Sequence, residues 1–185
     1  DFRGQPLDWR QWRVEDGGNG HFYAVGSQGQ TSSSQSSYFA NISDFGTPPY
    51  TLASIGSAAE NDFVFDLFAD DPTMLIRQSA TVANGPIIGG AHFEIDPSLP
   101  NDTSPRQWGW YDGTPWEFSA WREGEPNNAG GREWYLHYAV TIVDEDERLF
   151  LPTWNDTTRS YGSPGWILET AGLATARNDV IDGST

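Results

Sequence analysis

Five oxygen-bearing side chains in the second half of the chain have the types and spacing of a cation site. Two carboxylates and an amide lie within one short loop segment, and a neighbouring amide and carboxylate follow about twenty residues later. Calcium takes about six to eight oxygen ligands, drawn from carboxylates, side-chain amides and backbone carbonyls. None of these segments supplies a nucleophile with a base beside it. The sequence therefore predicts one calcium (Ca2+) site, with the ligands Glu125, Asn127, Glu133, Asn155 and Asp156.

The charge balance agrees with a cation ligand and disfavours polyanions. The sequence has 26 Asp and Glu against 10 basic residues, which gives a formal net charge of −16. Such a surface repels phosphate backbones and anionic lipid headgroups, so we expect neither a nucleic-acid partner nor membrane insertion. There is no cysteine, which excludes disulfides, thiolate metal sites and cysteine nucleophiles. The three histidines are isolated in the sequence, so we expect no zinc site.

The elements that must position these ligands are short strands in one domain. Nine Trp, seven Tyr and ten Phe in 185 residues supply a sizeable core. Strands are expected where apolar and aromatic residues cluster between Gly, Pro, Asn and Asp. These segments are GHFYAV at 20–25, TLASI at 51–55, PIIGG at 86–90, YLHYAV at 135–140 and GWILE at 165–169.

One helix is predicted, beginning at Ser57. Ser57 and Glu60 have the spacing of a capping box, and an apolar stripe follows at Phe63, Val64, Leu67 and Phe68. Residues 70–72, Asp-Asp-Pro, are expected to end it. YFANISDF at 38–45 is open to either a short helix or a loop. The stretch 91–133 has almost no regular pattern, which is typical of a functional loop region.

The site segments resemble the sugar-binding half of the C-type lectin family. In that family a Glu-Pro-Asn tripeptide, a Glu eight residues after its first member, and a later Trp-Asn-Asp tripeptide build a calcium site that also holds sugar. GHFYAV, LASIGSAAEN, IIGG and GWILE resemble further conserved segments of the family, so the resemblance spans roughly residues 9–169. The matching positions are Glu125-Pro126-Asn127, Glu133 and Trp154-Asn155-Asp156.

The resemblance implies an α+β C-type lectin-like fold, with short antiparallel strands, one or two helices and a long calcium-binding loop region. It implies a carbohydrate-binding domain at residues 1–170, followed by a polar tail or linker at 171–185. It also implies that the five ligands contact the sugar as well as the metal, that Pro126 and Trp154 are structural, and that the peptide bond before Pro126 is cis. The chain departs from the family at Trp134, where an auxiliary calcium site has an acidic residue, so we expect one calcium.

The function implied is binding of mannose- or fucose-containing glycans on cell surfaces, since Glu-Pro-Asn accompanies mannose-type selectivity in the family. An extracellular setting follows, with any export signal or anchor outside this sequence. The absence of cysteine suggests a module of a bacterial adhesin, monomeric as an isolated domain.

Three other interpretations of the same residues remain open. The acidic side chains are also compatible with an ordinary solvated loop. A C-type lectin-like domain can bind protein or ice through another surface. An enzyme would need paired carboxylates acting on a glycosidic bond, a role for which Glu125 and Glu133 are the candidates. Because calcium accounts for both carboxylates, we expect no enzymatic activity.

Overall fold

The strands form one mixed, curled sheet with a single helix packed against it in the part of the chain that is described. The computed structural model describes residues 7–27, 50–93, 107–144, 146, 149–158 and 162–172. The helix α1 is Ala58–Asp66, and two short 3-10 turns are Val14–Asp16 and Ala129–Gly131. The strands are β1 Trp9–Gln11, β2 Phe22–Ser27, β3 Thr51–Leu52, β4 Ile76–Arg77, β5 Val82–Phe93, β6 Gln107–Trp110, β7 Tyr135–Asp144, β8 Leu149–Leu151, β9 Trp154–Thr157 and β10 Gly165–Thr170. No helix within these ranges is long and apolar enough to cross a membrane.

The sheet has the order β1-β2-β10-β5-β7-β8, with β3, β4, β6 and β9 attached beside this path. Antiparallel pairing of β2 with β10 joins the first and last parts of the described chain. The long strand β5 lies at the centre, parallel to β10 and antiparallel to β7. Gly89 in β5 is required by packing, because an added Cβ would lie 2.7 Å from the carbonyl oxygen of Leu52. The predicted α+β architecture, with short and mostly antiparallel strands and one helix, is therefore present in the described part of the chain.

The helix begins at the predicted residue and ends earlier than predicted. Ser57 is the N-cap, and its side chain accepts a hydrogen bond from the backbone N–H of Glu60 at 3.1 Å. The helix ends at Asp66 because the chain then tightens into turns, in which Leu67 donates to Val64 and Phe68 to Phe65. The predicted apolar stripe still faces the core, with Val64 and Phe68 fully buried.

Five strands were not predicted from the sequence, namely β1, β4, β6, β8 and β9. Each is two to four residues long, and β6 and β9 are rich in Trp, Gly, Asn and Asp. Such residues give no clear alternation, so pairing with neighbouring strands rather than local preference makes these segments strands. The predicted helix or loop at 38–45 lies outside the described residues, as does the tail from residue 173.

A buried polar network joins the helix to the sheet on the side of β2 and β10. The hydroxyl of Tyr23 lies between the carboxylates of Glu60 and Glu169, at 3.0 Å from the latter. Glu169 also accepts from the backbone N–H of Ser54 at 2.8 Å and contacts the ring of His21 at 2.6 Å. Burial raises the pKa of the Glu169 carboxyl above its ordinary value of 4.5, although the His21 contact opposes the shift.

We expect this raised pKa to make the native state less stable as the pH rises. A folded-state pKa above the unfolded value means that folding binds a proton, so the contribution is complete at low pH and is lost above about pH 4.5. The variant Glu169→Gln cannot lose this proton. Relative to the native protein, Glu169→Gln should therefore gain free energy of unfolding as the pH rises from 4 to 7.

Urea unfolding at pH 4, 5.5 and 7 measures this difference. The exposed Glu123→Gln serves as control, and its difference from the native protein should stay nearly constant. A difference for Glu169→Gln that is constant, or that moves in favour of the native protein as pH rises, would show that the burial of this carboxylate has no energetic consequence.

Candidate metal centre

Two segments distant in sequence are brought together by backbone hydrogen bonds around Trp154. The N–H of Trp154 donates to the carbonyl of Ala120 at 2.7 Å, and the N–H of Arg122 donates to the carbonyl of Trp154 at 2.9 Å. The loop that carries Glu125, Asn127 and Glu133 therefore starts beside β9, which carries Asn155 and Asp156.

Asp156 links the two segments directly. Its side chain is fully buried, and one carboxylate oxygen accepts the N–H of Asn127 at 3.2 Å while the other accepts that of Asn128 at 2.7 Å. The N–H of Asn127 also lies 3.1 Å from a carboxylate oxygen of Glu125. The carboxylates of Glu125 and Asp156 thus share one backbone donor, whereas the side chain of Asn127 is exposed.

Glu125 lies between the guanidinium group of Arg122 and the carboxylate of Asp156. The peptide bond between Glu125 and Pro126 is cis, as the resemblance implies. One carboxylate oxygen of Glu125 is 2.6 Å from Nη2 of Arg122, and the side chain is only 4% exposed. Burial raises the pKa of Glu125, Arg122 opposes this, and the negative charge of Asp156 adds to it. The Arg122 contact was not predictable from the sequence, because arginines three residues from a glutamate are common on solvated loops.

Glu133 is placed by the 3-10 turn that precedes it. Its carboxylate accepts the N–H of Ala129 at 2.5 Å, and its own N–H donates to Oδ1 of Asn128 at 3.1 Å. The turn needs positive φ at Gly130 and Gly131, of 67° and 71°, which glycine adopts without strain. Burial raises the pKa of Glu133, and the charges of Asp156 and Glu125 contribute in the same direction.

The amide oxygen of Asn155 is unpartnered within the described part of the chain. Its Nδ2 donates to its neighbour's carbonyl, that of Asp156, at 2.6 Å and lies 3.3 Å from Nε2 of His137. Burial lowers the pKa of His137 to about 3, so the ring is neutral at physiological pH. The Oδ1 atom of Asn155 is buried and has no hydrogen-bond partner among the described residues. Sequence reasoning missed His137 as a neighbour of the site, since only the pairing of β7 with β9 places it opposite Asn155.

These residues fit a hard cation by their chemistry, although they do not form a ready-made cluster. Among the described residues, no three Asp, Glu or His side chains stand close enough to hold a metal ion as they are placed. The reason is visible in the contacts, because Glu125 is engaged by Arg122 and Glu133 by Ala129. In favour of a cation are the carboxyls of Glu125 and Glu133, whose pKa values are raised by burial and by the charge of Asp156. The oxygen of Asn155, which has no hydrogen-bond partner among the described residues, is a second argument, because a divalent ion would relieve both features.

An aromatic cluster packs against Trp154 in the site strand β9. Trp154 is fully buried, and its ring meets Phe118 edge to face at 5.5 Å and Trp110 at 5.8 Å. Its Nε1 donates to Oδ1 of Asn61 in α1 at 2.9 Å, so the site strand is tied to the helix. Trp116 and Trp121 pack on the same ring. Trp154 is therefore a core residue that joins the site strand to the helix.

The comparisons with known proteins agree with this architecture. No family model matches the chain. Ladderlectin from Oncorhynchus mykiss is 30% identical over 118 residues, which cover 64% of this chain and 49% of that protein. The chain thus spans about half the length of this relative.

Solved structures of lectins share the fold over nearly the whole chain. The C-type lectin CEL-I from Cucumaria echinata matches with a TM-score of 0.56 and 17% identity, covering 90% of this chain and 97% of CEL-I. The cow C-type carbohydrate-recognition domain of CD23 matches with a TM-score of 0.51 and 20% identity, covering 92% and 98%. Ladderlectin, CEL-I and the CD23 domain are each named as a lectin or as a carbohydrate-recognition domain. The chain has the C-type lectin-like fold and is similar in sequence to a lectin.

Proposed function

We propose that the chain is a calcium-dependent carbohydrate-binding domain. The observation that carries the proposal is the buried, unpartnered Oδ1 of Asn155 beside the carboxylate of Asp156, because such an atom calls for a cation or a polar ligand. The residues that would hold calcium and sugar are Glu125, Asn127, Glu133, Asn155 and Asp156. Similarity to ladderlectin and to structures of C-type lectins supports the same class of function.

The side chains of the site have complementary roles toward a sugar diol. When bound, calcium supplies a positive charge that attracts the lone pairs of two neighbouring hydroxyls. The carboxylates of Glu125 and Glu133 accept the hydroxyl hydrogens, and the amide groups of Asn127 and Asn155 donate to the hydroxyl oxygens. A ring of fixed donors and acceptors selects both the spacing and the orientation of the diol.

The ligands we propose are mannose-type and fucose-containing glycans. The order Glu125-Pro126-Asn127 places an acceptor before a donor, the order that accompanies mannose-type selectivity in lectins that resemble this chain. One structural neighbour, the CD23 domain, is described in the presence of GlcNAc2Man3 oligosaccharide, which supports this class of ligand. We further propose an extracellular, adhesive role on cell-surface glycans for a monomeric module, followed by a linker at 171–185.

Exchanging donor and acceptor should shift the sugar preference. The double variant Glu125→Gln with Asn127→Asp keeps the formal charge and the number of metal oxygens, so calcium affinity should change little. A hydroxyl that faces a mismatched group leaves a polar atom unpaired, at a cost of about 1 to 3 kcal/mol. We therefore expect the preference for mannose over galactose, measured by competition, to fall by about tenfold or more.

The native domain should bind immobilised mannose- and fucose-bearing glycans in calcium and should lose them in chelator. A glycan array run under both conditions tests the proposed function directly. Preference for galactose, or fucose binding that persists unchanged in chelator, would contradict the proposal. Release of reducing sugar would favour the enzyme interpretation instead.

A further inference from the structure

A groove of about 320 Å³ lies between α1 and β8, away from the candidate metal centre. Its floor is apolar, formed largely by Phe65 of the helix and Phe150 of the strand, whose rings meet edge to face at 6.5 Å. None of the five proposed calcium ligands lines it. The volume accommodates one or two side chains of a bound peptide rather than a large ligand.

The helix side of the groove is negatively charged. Asp62 and Asp66 line it one turn apart, and both are exposed. Like charges at this spacing repel each other and destabilise an isolated helix, so a cation between them would be favourable. Within the described ranges, no Arg or His lies at ion-pair distance from either carboxylate.

The strand side of the groove is apolar and open. Among the described strands, β8 ends the main path of the sheet, with β7 as its neighbour. Leu149 lines the groove and is 49% exposed, and Leu151 and Val143 are exposed on the same hairpin. An apolar surface beside a carboxylate row is suited to a ligand that combines an apolar side chain with a cation.

A second copy of this chain is a poor occupant. Each copy has a net charge of −16, so two copies repel each other, and the sequence contains ten arginines and no lysine. We propose that the groove docks a basic, extended segment of a partner protein, in which an apolar side chain covers Phe65 and Phe150 and a neighbouring Lys or Arg faces Asp62 and Asp66. This inference does not depend on the proposed sugar-binding function.

The probe is a capped peptide, Lys-Leu-Lys-Leu-Lys, titrated by calorimetry in chelator at low ionic strength. Asp62→Asn with Asp66→Asn should weaken its binding by about fivefold, because exposed ion pairs each contribute modestly to binding, and added salt should weaken it further. Asp8→Asn with Asp16→Asn removes the same charge from exposed positions outside the groove and should have little effect. If both double variants weakened binding equally, peptide affinity would depend only on the net charge of the domain, and the proposal would be overturned.

The apolar part of the proposal has its own controls. Leu149→Ser should weaken binding of the same peptide, and the capped peptide Lys-Ser-Lys-Ser-Lys should bind less tightly to the native domain. If this serine peptide binds as tightly as the leucine peptide, the groove does not recognise an apolar side chain and the proposal is wrong. A cooperative urea unfolding transition like that of the native domain would show that each variant is folded.

Carbodiimide cross-linking locates the peptide. Because the chain has no lysine, its only amine is the N-terminus, so other amide cross-links must join a peptide amine to a protein carboxylate. We expect mass spectrometry to find the cross-links at Asp62 or Asp66. Cross-links spread over other exposed carboxylates, with none enriched in the groove, would overturn the proposal.

Discussion

Replacing Asp156 with asparagine should reduce glycan affinity by about 100-fold or more. The side chain is fully buried and accepts the N–H groups of Asn127 and Asn128, so it both orders the loop and supplies a proposed metal carboxylate. Asparagine keeps the volume but removes the charge, and its amide group can place a donor against a backbone donor. Loss of one hydrogen bond to a charged group and of one metal ligand corresponds to about 3 kcal/mol or more.

Calcium and glycan titrations of Asp156→Asn measure this effect. Asp112→Asn is a matched control, since Asp112 also accepts a backbone N–H in a loop, that of Thr114 at 2.9 Å, but has no place in the site. The control should bind both ligands as the native domain does. If Asp156→Asn bound calcium and glycan with native affinity, Asp156 would not be a residue of the site.

Replacing Trp154 with alanine should lower the free energy of unfolding by about 3 to 5 kcal/mol, as expected for a large aromatic side chain removed from a core. The ring is fully buried among Trp110, Phe118 and their neighbours, and its Nε1 binds Asn61. The variant Trp154→Phe keeps most of the packing and loses the hydrogen bond. It should cost less, about 1 to 2 kcal/mol, because the hydroxyl of Tyr138 still donates to the same oxygen of Asn61 at 2.9 Å.

Urea unfolding of both variants tests this ranking. Trp134→Ala removes a ring that is 40% exposed and should cost less than about 1 kcal/mol. If Trp154→Ala proved no more destabilising than Trp134→Ala, Trp154 would not be the residue that fixes β9 against the helix.

Strong local patterns made part of the fold predictable. The strands around GHFYAV, PIIGG, YLHYAV and GWILE and the N-cap at Ser57 are present, because apolar clustering and capping chemistry act over a few residues. The strands β6 and β9 were missed because pairing with β5 and β7 determines them, and that pairing joins distant residues. The end of α1 was missed because turns continue the apolar stripe beyond Asp66.

The candidate site was predictable in its residue types but not in its surroundings. The spacing of Glu125, Glu133 and Asp156 indicated oxygen ligands. The ion pair of Arg122 with Glu125 and the neutral His137 beside Asn155 arise from loop geometry and strand register. Arg122 opposes the effect of burial on the pKa of Glu125, and His137 lies beside the amide of Asn155, yet neither contact has a signature in the sequence.

A crystal structure of the domain grown with calcium and mannose tests the central claim most directly. We predict one ion bound jointly by residues of the loop, Glu125, Asn127 and Glu133, and of the strand, Asn155 and Asp156, with two sugar hydroxyls completing its coordination. An ion held by only one of these two groups, or mannose bound at another surface, would contradict the claim.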